Sequence, residues 1–377
     1  MKKLKRILAA PFFHLYVQSK RTAVYKGALK KPHRWYRRPL DGCVCSNGTP
    51  YAAYYKRGVV NKLAVYFSGG GACWDEHTAA RPNTLTSMLD GVPGYYFPDL
   101  PPYLDLLLGG ILAEKPDARN PFADWNFVYI PYASADFHVG GSDFPYTGVD
   151  GKARILHHHG AQNMKAALDA LPEAFAKPEQ LLIAGESAGA FGCLAHAPAV
   201  AARFPACGDV TVYADGAQLC ATGGFWRNVV GGVWKADKSL VNCLGDEGQL
   251  AADWLRRAAQ AMGGGTRFLH SNSRFDETLA TFQNKLNHDE YSLSPAAIAE
   301  YHATLAAVTR GLADELPNYR YFICNHDYKA DAGTTSHTTS RWAPRFFDAY
   351  ADGVTLAQWL AKAVAGEMVD NVGCNLL

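Results

Sequence analysis

Gly185-Glu186-Ser187-Ala188-Gly189 is the stretch of this sequence most able to do chemistry. Apolar Leu181 to Ala184 precede it and a run of small residues follows. Strand, sharp turn, helix is the context in which G-x-S-x-G lifts a serine hydroxyl clear of its backbone. The glycines let strand and helix approach closely. The same pentapeptide also fits a plain serine N-cap, so partners decide between the two readings. A serine hydroxyl is a poor nucleophile until a base takes its proton and a carboxylate steadies that base. Asp276 and His337 follow Ser187 in the required order; Asp215 competes for the acid and His326 for the base. The order of parts favours Asp276 and His337. Negative charge on the attacked carbonyl needs backbone N–H donors. Ala188 offers one, and Gly70 and Gly71 in Ser68-Gly69-Gly70-Gly71 offer two more. The run His157-His158-His159 raises the question of a metal, but consecutive residues do not share a helix face. It reads as a loop entering a helix, and no metal site is expected.

These groups need a scaffold that carries them to one place. Leu63–Phe67, Asn126–Pro131, Gln180–Ala184, Asp209–Ala214, Thr266–His270 and Tyr319–Cys324 are short apolar runs bounded by turn residues. Such runs suit buried parallel strands. His159–Leu171 and Pro295–Leu312 carry apolar residues at helical spacing. Residues 41–66 read as an antiparallel entry, 81–121 as a cap or pocket wall, and 133–143 as a loop. Asp352-Gly353 is a hairpin-type turn signal. The expected fold is α/β, with a mainly parallel central sheet, helices on both faces, and a cap built from insertions. Functional loops then lie at the carboxyl ends of the strands. Ser68 and its glycines, Asp136, His138, Ser187, Asp215, Asp276 and His337 all fall there.

The chain has 377 residues, 48% hydrophobic and 19% charged, enough to bury a large core. A net charge of +2 gives no bulk argument for nucleic acid, and no G-x-x-x-x-G-K-[ST] or G-x-G-x-x-G is present. The charge is uneven: no acidic residue precedes Asp41. Residues 1–38 are expected to form a basic arm, either a plain solvated tail or one able to touch an anionic surface, with residues 39–377 one catalytic unit. Met1 to Val17 resembles the start of a secretory signal, but Pro11 and His14 interrupt it and no A-x-A site follows. A cytoplasmic location is the first expectation, a periplasmic or secreted one the alternative. The nine cysteines include no paired C-x-x-C sets, which disfavours zinc and leaves any disulfide pairing open.

Taken together, these residues resemble the pectin acetylesterase/Notum family of serine esterases, which has the α/β-hydrolase fold. Cys43 to Pro50 is similar to the family's C-x-D-G-S-P entry, and Ser68 to Trp74 to its E-G-G-x-x-C segment. Pro131 to Gly140 resembles P-Y-C-S-x-D-x-x-x-G, and His159, Gly160 and Asn163 resemble H-x-x-G-x-x-N. Gly185 to Ala190 matches G-x-S-A-G-G in outline, Ser273 to Asp276 with Gln283 matches S-x-Y-D-x-x-Q, and Gly333 to Thr338 fits the histidine segment. The resemblance implies nucleophile Ser187, acid Asp276 and base His337, and oxyanion donors Gly70, Gly71 and Ala188; Trp74 is a candidate for the substrate pocket, and Asp136 and His138 either shape its wall or serve as structural hydrogen-bonding residues. Ser68, Gly71 and Ala133 stand where the family has Glu, a bulky residue and Cys, and the small residue at 71 implies a differently shaped acyl pocket. The expectation is an esterase that needs no cofactor and removes a short acyl group, such as acetyl, from a small-molecule or polysaccharide ester. The alternatives are a lipid-deacylating esterase, a thioesterase, or an inactive binding protein that keeps the fold.

Overall fold

The apolar runs become strands of one twisted sheet, and their order explains the site. The computed structural model describes residues 22–84, 93–101, 104 and 108–377. The signal-like run and the first half of the basic arm lie outside the described residues, as does part of the 81–121 insertion. Among the described residues the sheet has nine strands, in the order β1-β2-β3-β5-β4-β8-β9-β10-β11. These are β1 (Ala23–Val24), β2 (Trp35–Val44), β3 (Pro50–Lys56), β4 (Lys62–Phe67), β5 (Asn126–Ile130), β8 (Gln180–Glu186), β9 (Val210–Asp215), β10 (Arg267–Ser273) and β11 (Tyr319–Cys324). Six neighbours, β5-β4-β8-β9-β10-β11, are mutually parallel, while β3 runs antiparallel to β2 and β5. The antiparallel entry therefore forms as expected, but β2 starts at Trp35, so the end of the basic arm belongs to the sheet.

Both faces of the parallel strands are covered, which is why their sequences are apolar throughout rather than alternating. Val65, Phe67, Ile183, Val212 and Ile323 pack on one face, beside Leu194, Trp254 and Leu305 of the helices Ala188–Ala201, Leu250–Met262 and Pro295–Glu315. Ala64, Tyr66, Leu182, Tyr213 and Phe322 pack on the other, beside Trp359 and Leu360 of the helix Leu356–Val364. All nine cysteines keep free thiols.

Two stretches differ from the sequence reading. Residues 142–158, whose two ends fall in the stretches read as loop (133–143 and the histidine run), form a hairpin of β6 (Ser142–Thr147) and β7 (Ala153–His158). The hairpin's outer face is exposed, so its strands lack the continuous apolar run that marks a buried one. The histidine run thus lies on a strand end, not in a loop. At Asp352-Gly353 the hairpin exists, between β12 (Tyr350–Ala351) and β13 (Val354–Thr355), but the flanking segments are helical: Ala343–Asp348 and Leu356–Val364. Thr355 caps the second with a reciprocal capping box to Gln358, a local signal stronger than the turn.

Candidate active site

Four loops leave the carboxyl ends of β4, β8, β10 and β11 and meet over the middle of the sheet. The β8 loop is a single residue long. Ser187 has φ 55° and ψ −128°, a conformation that strains a residue with a side chain. The structure holds it there through close contact: a Cβ at Gly189 would sit 2.1 Å from the Phe67 carbonyl oxygen. The Ser187 N–H donates to the Asp215 carbonyl at 2.8 Å, and the helix Ala188–Ala201 starts at once.

The histidine segment is laced to the end of β10. The Thr335 N–H donates to the Phe275 carbonyl, the Glu277 N–H donates to the Thr335 carbonyl, and the Ser273 hydroxyl donates to the Ser336 carbonyl. These bonds bring His337 Nδ1 to 2.7 Å from Asp276 Oδ2. Asp276 is fully buried, and its Oδ1 accepts the Leu279 N–H at 2.9 Å, capping the helix Glu277–His288. Burial alone would lower the pKa of His337. The charge of Asp276, their hydrogen bond, and the more distant charges of Glu186 and Asp215 outweigh it and raise the pKa. His337 Nε2 is buried without a hydrogen-bond partner among the described residues. Ser187 and His337 line one open cavity of ≈ 530 Å³, with Gly70, Phe97, Arg341 and Trp342.

The rival residues go elsewhere. Both oxygens of Asp215 are taken by the hydroxyls of Ser271, Thr339 and Ser340 and the N–H groups of Thr339 and Ser340, at 2.7–2.9 Å. Asp215 anchors the segment after His337 instead of facing the imidazole. His326 lines a separate depression with Asp327 and does not line the Ser187 cavity.

The β4 loop lines the cavity beside Ser187 with Gly69, Gly70 and Gly71. Among the described residues no protein acceptor takes the N–H of Gly70, Gly71 or Ala188. The Gly69 N–H donates instead to Glu186 Oε1 at 2.9 Å, and Arg341 Nε stands 3.2 Å from the same oxygen. The sequence reading passed over Glu186 and Arg341. A carboxylate at a buried strand end was the available signal for the first; Arg341 carried none. Gly71 needs its glycine: φ is +81° and a Cβ would lie 1.8 Å from the Tyr95 carbonyl oxygen.

Of the expected pocket residues, Trp74 lines a narrow apolar cleft of ≈ 40 Å³ beside Ser187, with Gly71, Phe137, Phe191, Trp226 and Phe282. Asp136 and His138 do not line either space, which corrects their placement in the pocket. Asp136 is fully buried and accepts from the Ser134 hydroxyl and the N–H groups of His138, Gly140 and Gly160. It ties the Ala133–Gly140 loop to the start of the helix Gly160–Asp169, and burial raises its pKa to about 7. His138 donates Nε2–H to the Ser68 carbonyl at 2.9 Å and so holds the glycine loop from behind. Burial pushes its pKa down to about 3, which keeps it neutral.

A family model described as pectinacetylesterase matches residues 37–219, a span that holds the glycine loop and Ser187 but neither Asp276 nor His337. Pectin acetylesterase 7 of Arabidopsis thaliana is 25% identical over 178 residues, 46% of this chain and 42% of that protein. The palmitoleoyl-protein carboxylesterase NOTUM of Schmidtea mediterranea is 26% identical over 155 residues, 40% of this chain and 27% of its own length. The matches thus span less than half of these curated relatives. The structure of the Wnt deacylase Notum from Drosophila superposes with a TM-score of 0.63 over 89% of this chain and 94% of that one, at 16% identity, which speaks for a shared fold. Motifs and family model agree in making the chain similar to the pectin acetylesterase/Notum family over residues 37–219, and the fold is that of Notum.

Proposed function

We propose that the chain is a serine carboxylesterase that removes a short acyl group, such as acetyl, from a hydroxyl of a carbohydrate. One observation carries the reading. Ser187 and His337, whose Nδ1 meets Asp276 and whose Nε2 is unpartnered, line one cavity, and Ser187 also borders a cleft of only ≈ 40 Å³.

In this mechanism His337 Nε2 takes the Ser187 proton as Oγ attacks the ester carbonyl. Asp276 holds Nδ1–H, fixing the tautomer and stabilising the imidazolium. The N–H groups of Gly70, Gly71 and Ala188 receive the developing oxyanion. His337 then returns the proton to the leaving alcohol, and an acyl-Ser187 remains. Water, deprotonated by the same imidazole, releases the acid and frees the serine.

The two spaces suggest which half of the ester goes where. The apolar cleft takes the acyl group, and its volume suits a few carbon atoms. A long chain, such as the palmitoleoyl group named for the planarian relative, needs a longer apolar channel than this. The open cavity, rimmed by Lys329, Arg341, Arg345 and half-exposed Trp342, suits a polar alcohol with rings to stack and hydroxyls to bind. The name of the Arabidopsis relatives points the same way.

The test is labelling with a fluorophosphonate, read by intact mass and peptide mapping, beside hydrolysis of an acetyl ester. The expected result is one adduct, on Ser187, with loss of turnover; Ser187→Ala should neither label nor hydrolyse. A folded Ser187→Ala protein with parental turnover would overturn the reading.

A further inference from the structure

The β6–β7 hairpin carries a cluster that the ester chemistry does not use. Asp143 on β6 pairs directly across the hairpin with His157 on β7. Side chains alternate along a strand, so residues two apart leave on the same side. His158 points inward and is fully buried, with Nδ1 3.1 Å from the Ser134 carbonyl. His157 and His159 both turn toward Asp143. Asp143 Oδ1 lies 2.7 Å from His157 Nδ1 and 2.9 Å from His159 Nε2, and the three atoms fall within 4.8 Å of one another.

The backbone around this point is held in place by other bonds. The His157 N–H donates to the Ser46 carbonyl at 2.9 Å. Directly after His159, the Gly160 N–H donates to buried Asp136 at 2.8 Å. The side chains remain reachable: Asp143 is 54% exposed, His157 24% and His159 23%. None of the three lines the Ser187 cavity or its cleft.

We propose that Asp143, His157 and His159 form a binding site for a divalent transition metal, zinc in the first place. Two imidazoles and one carboxylate are donors that zinc accepts, whereas calcium and magnesium prefer oxygen alone. Three protein ligands leave a fourth position for water. Binding requires both imidazoles neutral, each presenting a lone pair where it now meets the carboxylate. In a tetrahedral zinc shell the ligand atoms stand about 3.3 Å apart. The half-exposed side chains reach that spacing by small rotations. The ion would clip β6 to the end of β7 and to the entry of the helix Gly160–Asp169.

The test uses the full chain, stripped with a chelator and titrated with Zn²⁺, then with Co²⁺. The expected results are one zinc per chain and a melting temperature that climbs with zinc concentration. Cobalt should give visible d–d bands that excess zinc removes. Asp143→Asn, His157→Gln and His159→Gln should each weaken zinc binding by more than about tenfold, with metal-free melts confirming that the variants fold. Mg²⁺ should produce no shift. Absence of stoichiometric zinc binding by the parent would overturn the proposal. So would unchanged affinity in the His157→Gln/His159→Gln double variant.

Discussion

Asp276 divides its two oxygens between two tasks, one on His337 and one on the first turn of the helix Glu277–His288. Asp276→Asn keeps most of that geometry and removes the charge. In the proposed mechanism it should lower kcat by about four decades with little change in KM. The pH profile adds an independent check. The base works as neutral imidazole, and its pKa is raised in the fold. Activity should therefore fall as pH drops through a value above the ordinary imidazole value of about 6.5. In Asp276→Asn the residual acid limb should move to lower pH, because the main raising influences are gone. The contribution of this pair to stability has the opposite trend. A pKa higher in the folded than in the unfolded state gives stability that is full below the unfolded value and lost as pH rises through the folded one. Measured kcat/KM against pH decides the matter; a limb that stays put in the variant counts against Asp276 as the partner. Glu186 deserves its own variant at this scale. Glu186→Gln keeps an acceptor for the Gly69 N–H but leaves the partly buried Arg341 without its counter-charge. A shifted glycine loop should then cost up to about a hundredfold in kcat, with KM nearly unchanged. A fall confined to KM would place Glu186 in substrate binding instead.

Strand ends do the positioning, and Asp215 shows how. It closes β9, accepts five hydrogen bonds, and ties β10 at Ser271 to the Thr339-Ser340 segment. Asp215→Asn should lower stability by roughly 1.5–3 kcal/mol, the range for a hydrogen bond to a charged group. Its loss in kcat should be far smaller than that of Asp276→Asn. Urea melts and steady-state kinetics on both variants separate the two carboxylates; a crippled Asp215→Asn with a parental melt would reverse their roles. The six parallel strands of the central sheet were legible because both of their faces are buried, so each is an apolar run cut short by turn residues. The β6–β7 hairpin was not, because one of its faces meets solvent and its sequence, SDFPYT against ARILHH, has no such run. The same gap hid the convergence of His157 and His159, which depends on strand alternation. Ser187, Asp276 and His337 were legible as motif residues in the right order, while Asp136 and His138 looked like pocket residues. Both a pocket and a structural role were open for those two, because a strand-end position alone does not tell a side chain that faces the cavity from one that fastens a loop behind it.

The apolar cleft proposed to take the acyl group belongs to the whole molecule. Gly71 and Trp74 come from the loop after β4, Phe137 from the loop after β5, and Phe191 from the helix behind Ser187. Trp226 comes from the stretch after β9 and Phe282 from the helix that Asp276 caps. No local pattern announces such a space; its volume exists only once all these segments have packed. Its walls are aromatic and tightly joined: Phe137 stacks on Phe191 at 4.4 Å, and Trp74 meets Phe282 edge-on at 6.1 Å. Interiors of this kind resist small expansions, because overpacking costs about 1–3 kcal/mol per added group. A chain-length series of nitrophenyl esters should therefore give the highest kcat/KM at acetyl to butyryl and a steep fall beyond. Phe282 is only partly buried and stands between the cleft and the open cavity, lining both, so trimming it opens the cleft without touching the Ser187 turn. Phe282→Ala should shift the optimum toward longer acyl chains and lower the acetyl rate by about tenfold, since one lost apolar contact is worth about 1–3 kcal/mol in discrimination. If the parent already prefers octanoyl or longer esters, the cleft opens in solution and the substrate is a lipid. If Phe282→Ala leaves the chain-length profile unchanged, the acyl group lies in the open cavity and the assignment of the two spaces is reversed.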